Sequence, residues 1–404
     1  MMKNSKSFSR KIVLVICFGV YSVLQTFATN VSGIISANTN WTVANSPYIV
    51  TGNVLVGFGA TLTIQSGVVV KFDSTTTLQV DGTMQALGIS GNPVIFTSNV
   101  SSHSGAWGYI YFSDLSTDAV YQNNIYGGYV SGSILSYCTI EYAGGLNISN
   151  NGAIKLNNAH PYITHCTISN NKASGIRATG LTASLKIDNC IIANNLSADN
   201  GGGIYISNAT AASGYSLIAS NTISNNNATA DGGGIYSAVQ NNNTLEISNN
   251  IISKNTAVNG GGISNSQYGT ALITHNIVIK NIATGANGGG VFNNNFGKAI
   301  LSANIISNNK STGTQAGGGG ISMTNQSSAK LNNNIIADNT STSTGGGVYS
   351  FQASAVMLNN QIVDNTSFEE AGIYFNSSPG NDTISYNTVV QNKCTDLSLS
   401  LIHI

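Results

Sequence analysis

Charged side chains are scarce in this chain of 404 residues, at 7% of the total, and only four prolines occur. A disordered chain would carry more charge and fewer Ile and Val residues. A mainly helical chain would be rich in Glu and Lys, of which the sequence has only four and thirteen. These two absences exclude disordered and helical architectures and favour a body made of short strands and tight turns.

An excess of positive charge is also missing. Four of the 15 basic residues precede an apolar run, Ile12–Leu24, and a small-residue sequence, Thr26–Ala28. This order predicts a signal peptide over residues 1–28 and a location outside the cell or on its surface. The remaining chain has eleven basic and fifteen acidic side chains. That net charge of −4 excludes a nucleic-acid-binding function, which needs a basic face.

Long apolar runs and paired cysteine motifs are lacking after the signal peptide. No later stretch is long and apolar enough for a transmembrane helix. The later cysteines are Cys138, Cys166, Cys190 and Cys394, and none shows Cys-x-x-Cys spacing, so neither a metal nor another cofactor is predicted. Cys138 and Cys166 share one position of the repeat described next. A disulfide and a pair of buried thiols both fit that placement.

Glycine and asparagine are abundant, with 45 and 55 residues, and many of them belong to a repeat. The repeat reads Asn-x-[Ile/Val/Thr]-x-x-Asn, and we call its first residue the corner. The residue two positions after every corner is Ile or Val, and the residue five positions after it is Asn in every coil except the first. Near Lys186, which has Leu185 and Ile187 beside it, a slip of one residue is expected. The corners fall at Cys138, Cys166, Asn189, Asn221, Asn250, Asn276, Asn304, Asn334, Asn360 and Asn387.

A second landmark, Gly-Gly-Gly-[Ile/Val], follows most corners. It occurs at residues 201–204, 232–235, 260–263, 288–291, 318–321 and 345–348. A single coil of short strands cannot bury its apolar face, whereas stacked coils share a continuous core. The repeat therefore predicts an all-β, single-stranded parallel β-helix. The corner Asn suits a two-residue bend with one left-handed residue, where its side chain can bond to the next coil.

The repeat also divides the chain. Residues 131–393 are predicted to form about ten regular coils, and residues 29–130, whose strands follow at closer intervals, a cap and irregular first coils. The last six residues break the pattern and match a translated adapter of sequencing libraries. We therefore expect 394–404 to be a non-native or truncated tail, with a C-terminal region missing beyond it.

The repeat resembles the right-handed parallel β-helix of the pectin-lyase-like superfamily, which includes pectate lyases and autotransporter passengers. The alternation of Ile252–Asn255 with Gly260–Ile263 is similar to polymorphic outer-membrane-protein repeats. The resemblance implies a right-handed solenoid in a secreted bacterial protein. It also implies two functional classes, namely adhesin-like or glycan-binding proteins and polysaccharide-degrading enzymes.

Residues for catalysis are few. Glu occurs at four positions only, and no Asp-x-Asp motif exists, although glycosidases and lyases of this fold need grouped carboxylates. His165 and Asp188 precede corners of adjacent coils and could form an acid–base pair. Arg177, the sole arginine after the signal peptide, could act as a lyase base. For all three residues the competing interpretation is an ordinary surface side chain.

A stronger signal is aromatic. The residue after each Gly-Gly-Gly-[Ile/Val], or after its weaker copies, should point outward because the Ile or Val points inward. The series is Arg177, Tyr205, Tyr236, Ser264, Phe292, Ser322, Tyr349 and Tyr374. Its five aromatic members are predicted to form an exposed platform for sugar rings. Alternatively, the rings stack on one another and only stiffen the sheet.

The scarcity of carboxylates favours a non-catalytic, adhesin-like or glycan-binding solenoid, with a polysaccharide or cell-surface glycan as its partner. The alternative is a polysaccharide lyase or glycoside hydrolase that acts on an extracellular polysaccharide. The fold itself does not decide between them, because one scaffold hosts both functions.

Overall fold

The computed structural model describes residues 28–146, 148, 151–208, 214–240, 243–314, 317–376, 382–396 and 402–403. The predicted signal peptide, apart from Ala28, lies outside the described residues, and so do most residues of the predicted tail. Within the described ranges, no helix is long and apolar enough to cross a membrane. The one helix within these ranges is a short 3-10 turn, Val43–Asn45.

The chain winds into a right-handed parallel β-solenoid of about twelve turns, close to the ten regular coils and irregular first coils predicted. Each regular coil passes through four short strands, which we number as sheets 1 to 4 in chain order. Sheet 1 precedes the corner. Its strands are Thr39–Trp41, Thr61–Gln65, Thr83–Leu87, Ile134–Ser136, Tyr162–Thr164, Lys186–Asp188, Tyr215–Ala219, Thr244–Ser248, Thr270–Thr274, Lys298–Ser302, Ser328–Asn332, Ser354–Leu358 and Thr383–Ser385.

Sheet 2 follows the corner. Two long first strands, Thr29–Ile35 and Tyr48–Val56, run through sheets 2 and 4 and join them into one 26-stranded sheet. The other strands of sheet 2 are Val69–Phe72, Val94–Ser98, Cys138–Glu141, Thr167–Ser169, Ile191–Ala193, Thr222–Ser224, Ile251–Ser253, Ile277–Ile279, Ile305–Ser307, Ile335–Ala337, Gln361–Val363 and Thr388–Val390.

Sheet 3 contains only two-residue strands, beyond the second Asn of the motif. They are Leu196–Ser197, Asn227–Ala228, Thr256–Ala257, Ile282–Ala283, Lys310–Ser311, Thr340–Ser341, Thr366–Ser367 and Lys393–Cys394. Sheet 4 follows the Gly-Gly-Gly turn. Its further strands are Leu78–Val80, Ile110–Phe112, Gly152–Asn157, Ser174–Leu181, Ile204–Asn208, Ile235–Ala238, Ile263–Asn265, Val291–Asn293, Ile321–Thr324, Val348–Phe351, Ile373–Asn376 and Ile402–His403.

Buried asparagines hold successive coils together. At Asn281, the side-chain amide donates to the Ile252 carbonyl at 2.9 Å and to Oδ1 of Asn309, one coil on, at 3.0 Å. Its own Oδ1 accepts from the backbone N–H and side-chain amide of Asn255, both at 3.0 Å. The residue before it, Lys280, is left-handed, with φ of 58°. The corner residue Asn276 has the same geometry, since its side-chain amide donates to Oδ1 of Asn304 at 3.1 Å and the residue before it, His275, is left-handed. The predicted left-handed bend with a bond from the corner to the next coil is confirmed.

Two such ladders run along the solenoid. The corner ladder comprises Asn221, Asn250, Asn276, Asn304, Asn334, Asn360 and Asn387. The second ladder comprises Asn171, Asn195, Asn226, Asn255, Asn281, Asn309, Asn339, Asn365 and Asn392. Buried amides are costly unless every polar atom is bonded, and stacking of identical coils provides the bonds.

The expected slip is confirmed and corrects one coil of the frame. The corner is Cys190 rather than Asn189, because the Cys166 backbone N–H points to the sulfur of Cys190 at 3.4 Å. Ile192 is therefore fully buried, while Ile191 is 50% exposed. The second-ladder residue of this coil is Asn195, and Asn194 is wrong. The slip arises because Asn189 carries the left-handed turn, with φ of 53°, which in other coils also precedes the corner.

Three thiols consequently replace the first rungs of the corner ladder. Cys138, Cys166 and Cys190 are all free and buried. Of the two alternatives for Cys138 and Cys166, the structure has buried thiols and no disulfide. Burial raises the pKa of the Cys138 and Cys190 thiols. These groups are therefore packed as small apolar residues rather than exposed as nucleophiles.

The core lies inside the four sheets. The Ile row that follows the corners is fully buried, as in Ile252 and Ile306. The first coils use larger rings, and Phe72 stacks on Trp107 with centroids 4.0 Å apart. An antiparallel hairpin, Val120–Tyr121 with Tyr129–Ser131, leaves the body before the strand Ile134–Ser136.

Candidate functional site

The outer face of sheet 4 carries one straight ladder of side chains. Its members are register partners in consecutive coils, in the order Tyr111, Lys155, Arg177, Tyr205, Tyr236, Ser264, Phe292, Ser322, Tyr349 and Tyr374. The prediction that the residues after the Gly turns share one row is confirmed. Lys155 and Tyr111 extend the row by two coils.

The prediction that this row is openly exposed is wrong for several members. Phe292 is 3% exposed and Tyr349 is 8% exposed. The cause is the Gly turn itself, which folds back over the row: a β-carbon on Gly345 would lie 2.8 Å from the Tyr349 β-carbon. Tyr205, Tyr236 and Tyr374 are half-buried. The row is therefore a set of partly covered ring edges rather than an open platform.

Aromatic stacking divides the row into two groups. Tyr205 and Tyr236 stack with centroids 5.2 Å apart and planes at 21°. Tyr349 and Tyr374 stack at 5.0 Å and 5°. Serines separate the two groups and leave Phe292 between them. We call Tyr349 and Tyr374 the rear stack.

Cations distinguish the other end of the row. We define the cationic aromatic ladder as Tyr111, Lys155, Arg177, Tyr205 and Tyr236. The Lys155 ammonium lies 5.8 Å from the Tyr111 ring and 4.7 Å from the ring of Tyr109. Burial, and then the Arg177 guanidinium, lower the pKa of Lys155. Burial, and then the neighbouring Tyr205, raise the pKa of Tyr236 to about 12.

Arg177 is held at the centre of this ladder. It is 3% exposed, so the interpretation as an ordinary surface residue is wrong. Its guanidinium carbon lies 3.8 Å from the Tyr205 centroid. Its Nη2 donates to Oδ2 of Asp199, which precedes the Gly turn, at 3.0 Å. A planar guanidinium suits both contacts, because one of its faces can stack while its edge donates.

A cavity of about 350 Å³ opens beside the ladder. Ladder side chains form one wall, and the polar side chains of Asn157 and Thr179 face the same space; the lining is Tyr111, Lys155, Leu156, Asn157, Arg177, Thr179 and Tyr205. Asn157 and Thr179 are register partners in adjacent strands. The arrangement offers ring edges, two cations and neutral hydrogen-bonding groups to one ligand.

The predicted acid–base pair is not formed. The slip places Asp188 opposite Thr164 rather than opposite His165. The Asp188 carboxylate accepts from the Tyr162 hydroxyl at 3.0 Å and lies 3.7 Å from the Lys186 ammonium. His165 instead contacts the Thr164 hydroxyl at 2.8 Å and stacks on the ring of Tyr137 at 4.4 Å. The two side chains therefore serve separate contacts.

Two further observations limit the chemistry of the described part of the chain. No three His, Cys, Asp or Glu side chains within it are grouped so that they could hold a metal ion. A larger cavity, about 680 Å³, lies near sheet 3 and includes Lys172 and Asp199. Its other lining residues are mostly Gly, Ala and Leu, so it offers few groups that could orient a ligand.

Sequence reasoning missed Lys155, Tyr111 and Asp199. Lys155 follows the sequence Gly152–Ile154, which is a Gly-Ala-Ile copy of the Gly turn and could have revealed it. Tyr111 follows Ile110 in the same way. Asp199 carries no such signal, because its role depends on how the loop before the Gly turn folds over Arg177.

The comparisons with known proteins support the fold. A family model described as "Right handed beta helix region" matches residues 129–278 and 258–400. No curated protein and no solved structure matches the chain. The likeness to autotransporter and polymorphic outer-membrane-protein repeats therefore stays a prediction.

Proposed function

We propose, from the premise that the chain belongs to the right-handed β-helix family, that it is an exported, non-catalytic solenoid that binds carbohydrate through the cationic aromatic ladder. The observation that carries the proposal is the cavity where Lys155, Arg177 and Tyr205 meet. Export follows from the predicted signal peptide, and it would bring the ladder into contact with extracellular polysaccharides or cell-surface glycans.

The chemistry of the ladder matches that of a sugar. Ring edges such as that of Tyr205 can contact the C–H groups of a pyranose, and Asn157 and Thr179 can bond to its hydroxyls. Lys155 and Arg177 add charge-assisted donors, against one nearby carboxylate, Asp199. The rear stack has equivalent rings, but no Lys or Arg is its register partner within the described coils.

The test compares two matched double variants. Tyr205→Ser with Tyr236→Ser removes the stacked pair of the ladder, and Tyr349→Ser with Tyr374→Ser removes the rear stack. Affinity electrophoresis in gels containing soluble β-glucan, xylan or polygalacturonate would measure binding. We expect the first variant to lose retardation at least tenfold and the second to change less than twofold, since only the first pair includes a residue that lines the cavity, Tyr205.

Circular dichroism and the thermal unfolding midpoint would show that both variants remain folded. Equal losses in the two variants would place binding elsewhere, or on both stacks. Absence of retardation of the parent chain in all three polysaccharides, and on an array of further glycans, would contradict carbohydrate binding itself.

One observation favours the second candidate, a polysaccharide-degrading enzyme. The lowered pKa of Lys155 beside Arg177 would increase the fraction of neutral amine available as a base. Release of unsaturated or reducing sugars from the same polysaccharides, abolished by Lys155→Gln, would support catalysis. Binding without product release would support the non-catalytic function.

A further inference from the structure

Sheet 2 presents an uncovered apolar row to solvent. Ile251, Ile277, Ile305 and Ile335 are register partners in four consecutive coils. They are 44%, 38%, 41% and 37% exposed. The next outward row contains small or apolar residues, Ser253, Ile279, Ser307, Ala337 and Val363. A contiguous apolar patch of this kind marks an interaction surface.

A row of charges borders this patch in a particular order. The residues before the second-ladder asparagines are Lys254, Lys280, Asn308, Asp338 and Asp364 in successive coils. All five are exposed and left-handed, so they occupy equivalent positions. None of the four charged residues forms an ion pair within the described chain.

In a single molecule this order of charges is electrostatically unfavourable. Successive coils lie about 4.8 Å apart, so the two lysines are neighbours and the two aspartates are neighbours. Like charges at directly opposite positions of a sheet destabilise it. The sequence of signs, two positive, one neutral and two negative, is its own complement when the order of coils is reversed.

We propose that a second copy of this chain packs its sheet 2 against this sheet 2, with the two solenoid axes antiparallel. The twofold axis runs parallel to the strands and passes at the coil of Ile305 and Asn308. Such an axis keeps each row opposite itself and reverses the coil order. Lys254 then faces Asp364 of the second copy and Lys280 faces Asp338, while each Ile305 meets its equivalent. The interface is isologous, as closed homodimers require.

The other face-to-face arrangement fits poorly. A twofold axis along the solenoid would keep the coil order and reverse the strand direction. The charged row would then face the row before the corners, Asn249, His275, Ala303, Asn333 and Asn359. That row has no carboxylate or permanent cation to pair with it. The antiparallel arrangement is therefore the one that charge complementarity selects.

The expected dimer is weak. Five coils at about 4.8 Å span roughly 20 Å, which is the size of a small, transient interface. We expect concentration-dependent association in the micromolar range that weakens with salt, because the bordering pairs are exposed. Sheet 2 is separate from the cationic aromatic ladder, so the proposed dimer does not depend on carbohydrate binding.

Charge reversal gives the decisive test. One variant carries Lys254→Asp and Lys280→Asp, and the other carries Asp338→Lys and Asp364→Lys. Sedimentation velocity of the chain from Thr29 onward would measure association from 1 to 200 μM, on the order of the expected dissociation constant. Each variant alone should associate at least tenfold more weakly than the parent. An equimolar mixture should recover association, because every reversed charge then faces an opposite one.

Two controls complete the design. Lys330→Asp reverses a lysine on the outer face of sheet 1 and should leave association unchanged. Ile305→Asp should abolish association of an otherwise folded chain, as checked by circular dichroism. Any of three results would overturn the proposal. The parent could stay monomeric at every concentration, the reversed variants could each associate like the parent, or their mixture could fail to recover association.

Discussion

The coils from Asn221 to Cys394 and the coils before them share one fold but differ in regularity. We call them the rear and front coils. In the rear coils both asparagine ladders run without interruption, and four consecutive coils carry Ile in the outward row of sheet 2. In the front coils, thiols replace the corner amides, a hairpin covers part of sheet 1, and Lys155 and Arg177 enter the outer row of sheet 4.

The comparison shows that the stacking of coils and the binding of a ligand need different arrangements of residues. Stacking is satisfied by identical residues in successive coils, because each amide bonds to its own equivalent. A ligand site needs unlike neighbours, such as Arg177 against Tyr205 and Asp199. Departures from the repeat in the front coils are therefore where the specific chemistry lies.

The largest predicted effect is on the ladders themselves. Asn281→Ala in the rear coils would remove the acceptor of the buried Asn255 backbone N–H and of one side-chain N–H of Asn255, and the amide donor to the Ile252 carbonyl, at a cost of about 4 kcal/mol. Cys166→Ala in the front coils removes a thiol with weak bonds and should cost about 1–2 kcal/mol. Urea unfolding of both variants would measure the difference. Equal losses would mean that the buried asparagine and the buried thiol contribute alike to stability.

The next effect concerns the centre of the cationic aromatic ladder. Arg177→Lys keeps the charge but loses the planar stack on Tyr205 at 3.8 Å. We expect polysaccharide binding to fall about three- to tenfold and stability to fall by about 1 kcal/mol. Lys254→Arg, on sheet 2, is the matched control and should change neither quantity. Unaltered binding by Arg177→Lys would show that charge alone is sufficient.

The smallest effect is one in which the cationic aromatic ladder and the rear stack should agree. Burial raises the pKa of Tyr236 and of Tyr349 to about 12, from 10.0. A raised folded-state pKa means that the native chain retains protons that the unfolded chain releases, so stability is lost as pH rises from 10 towards 12. Tyr236→Phe and Tyr349→Phe should each reduce that loss in alkaline unfolding curves. A loss as steep as in the parent would contradict the burial of the corresponding hydroxyl.

The sequence was sufficient to predict the two asparagine ladders but not the arrangement of the candidate binding site. The motif Asn-x-[Ile/Val]-x-x-Asn recurs in most regular coils, so its spacing alone predicts the positions of Asn281 and Ile252 within their coils. The corner at Cys190 was misassigned because Asn189 beside it satisfies the same pattern. The burial of Phe292 was missed because it depends on the path of the Gly turn above it, which no local pattern encodes.

Lysine footprinting tests the central claim most directly. Reductive methylation at pH 8 would be followed by mass spectrometry with and without the tightest-binding polysaccharide of the three. If the cationic aromatic ladder is the binding site, the polysaccharide will slow modification of Lys155 at least fivefold and leave Lys254 and Lys330 unchanged. Protection of Lys254 or Lys330 with Lys155 still reactive would contradict the account.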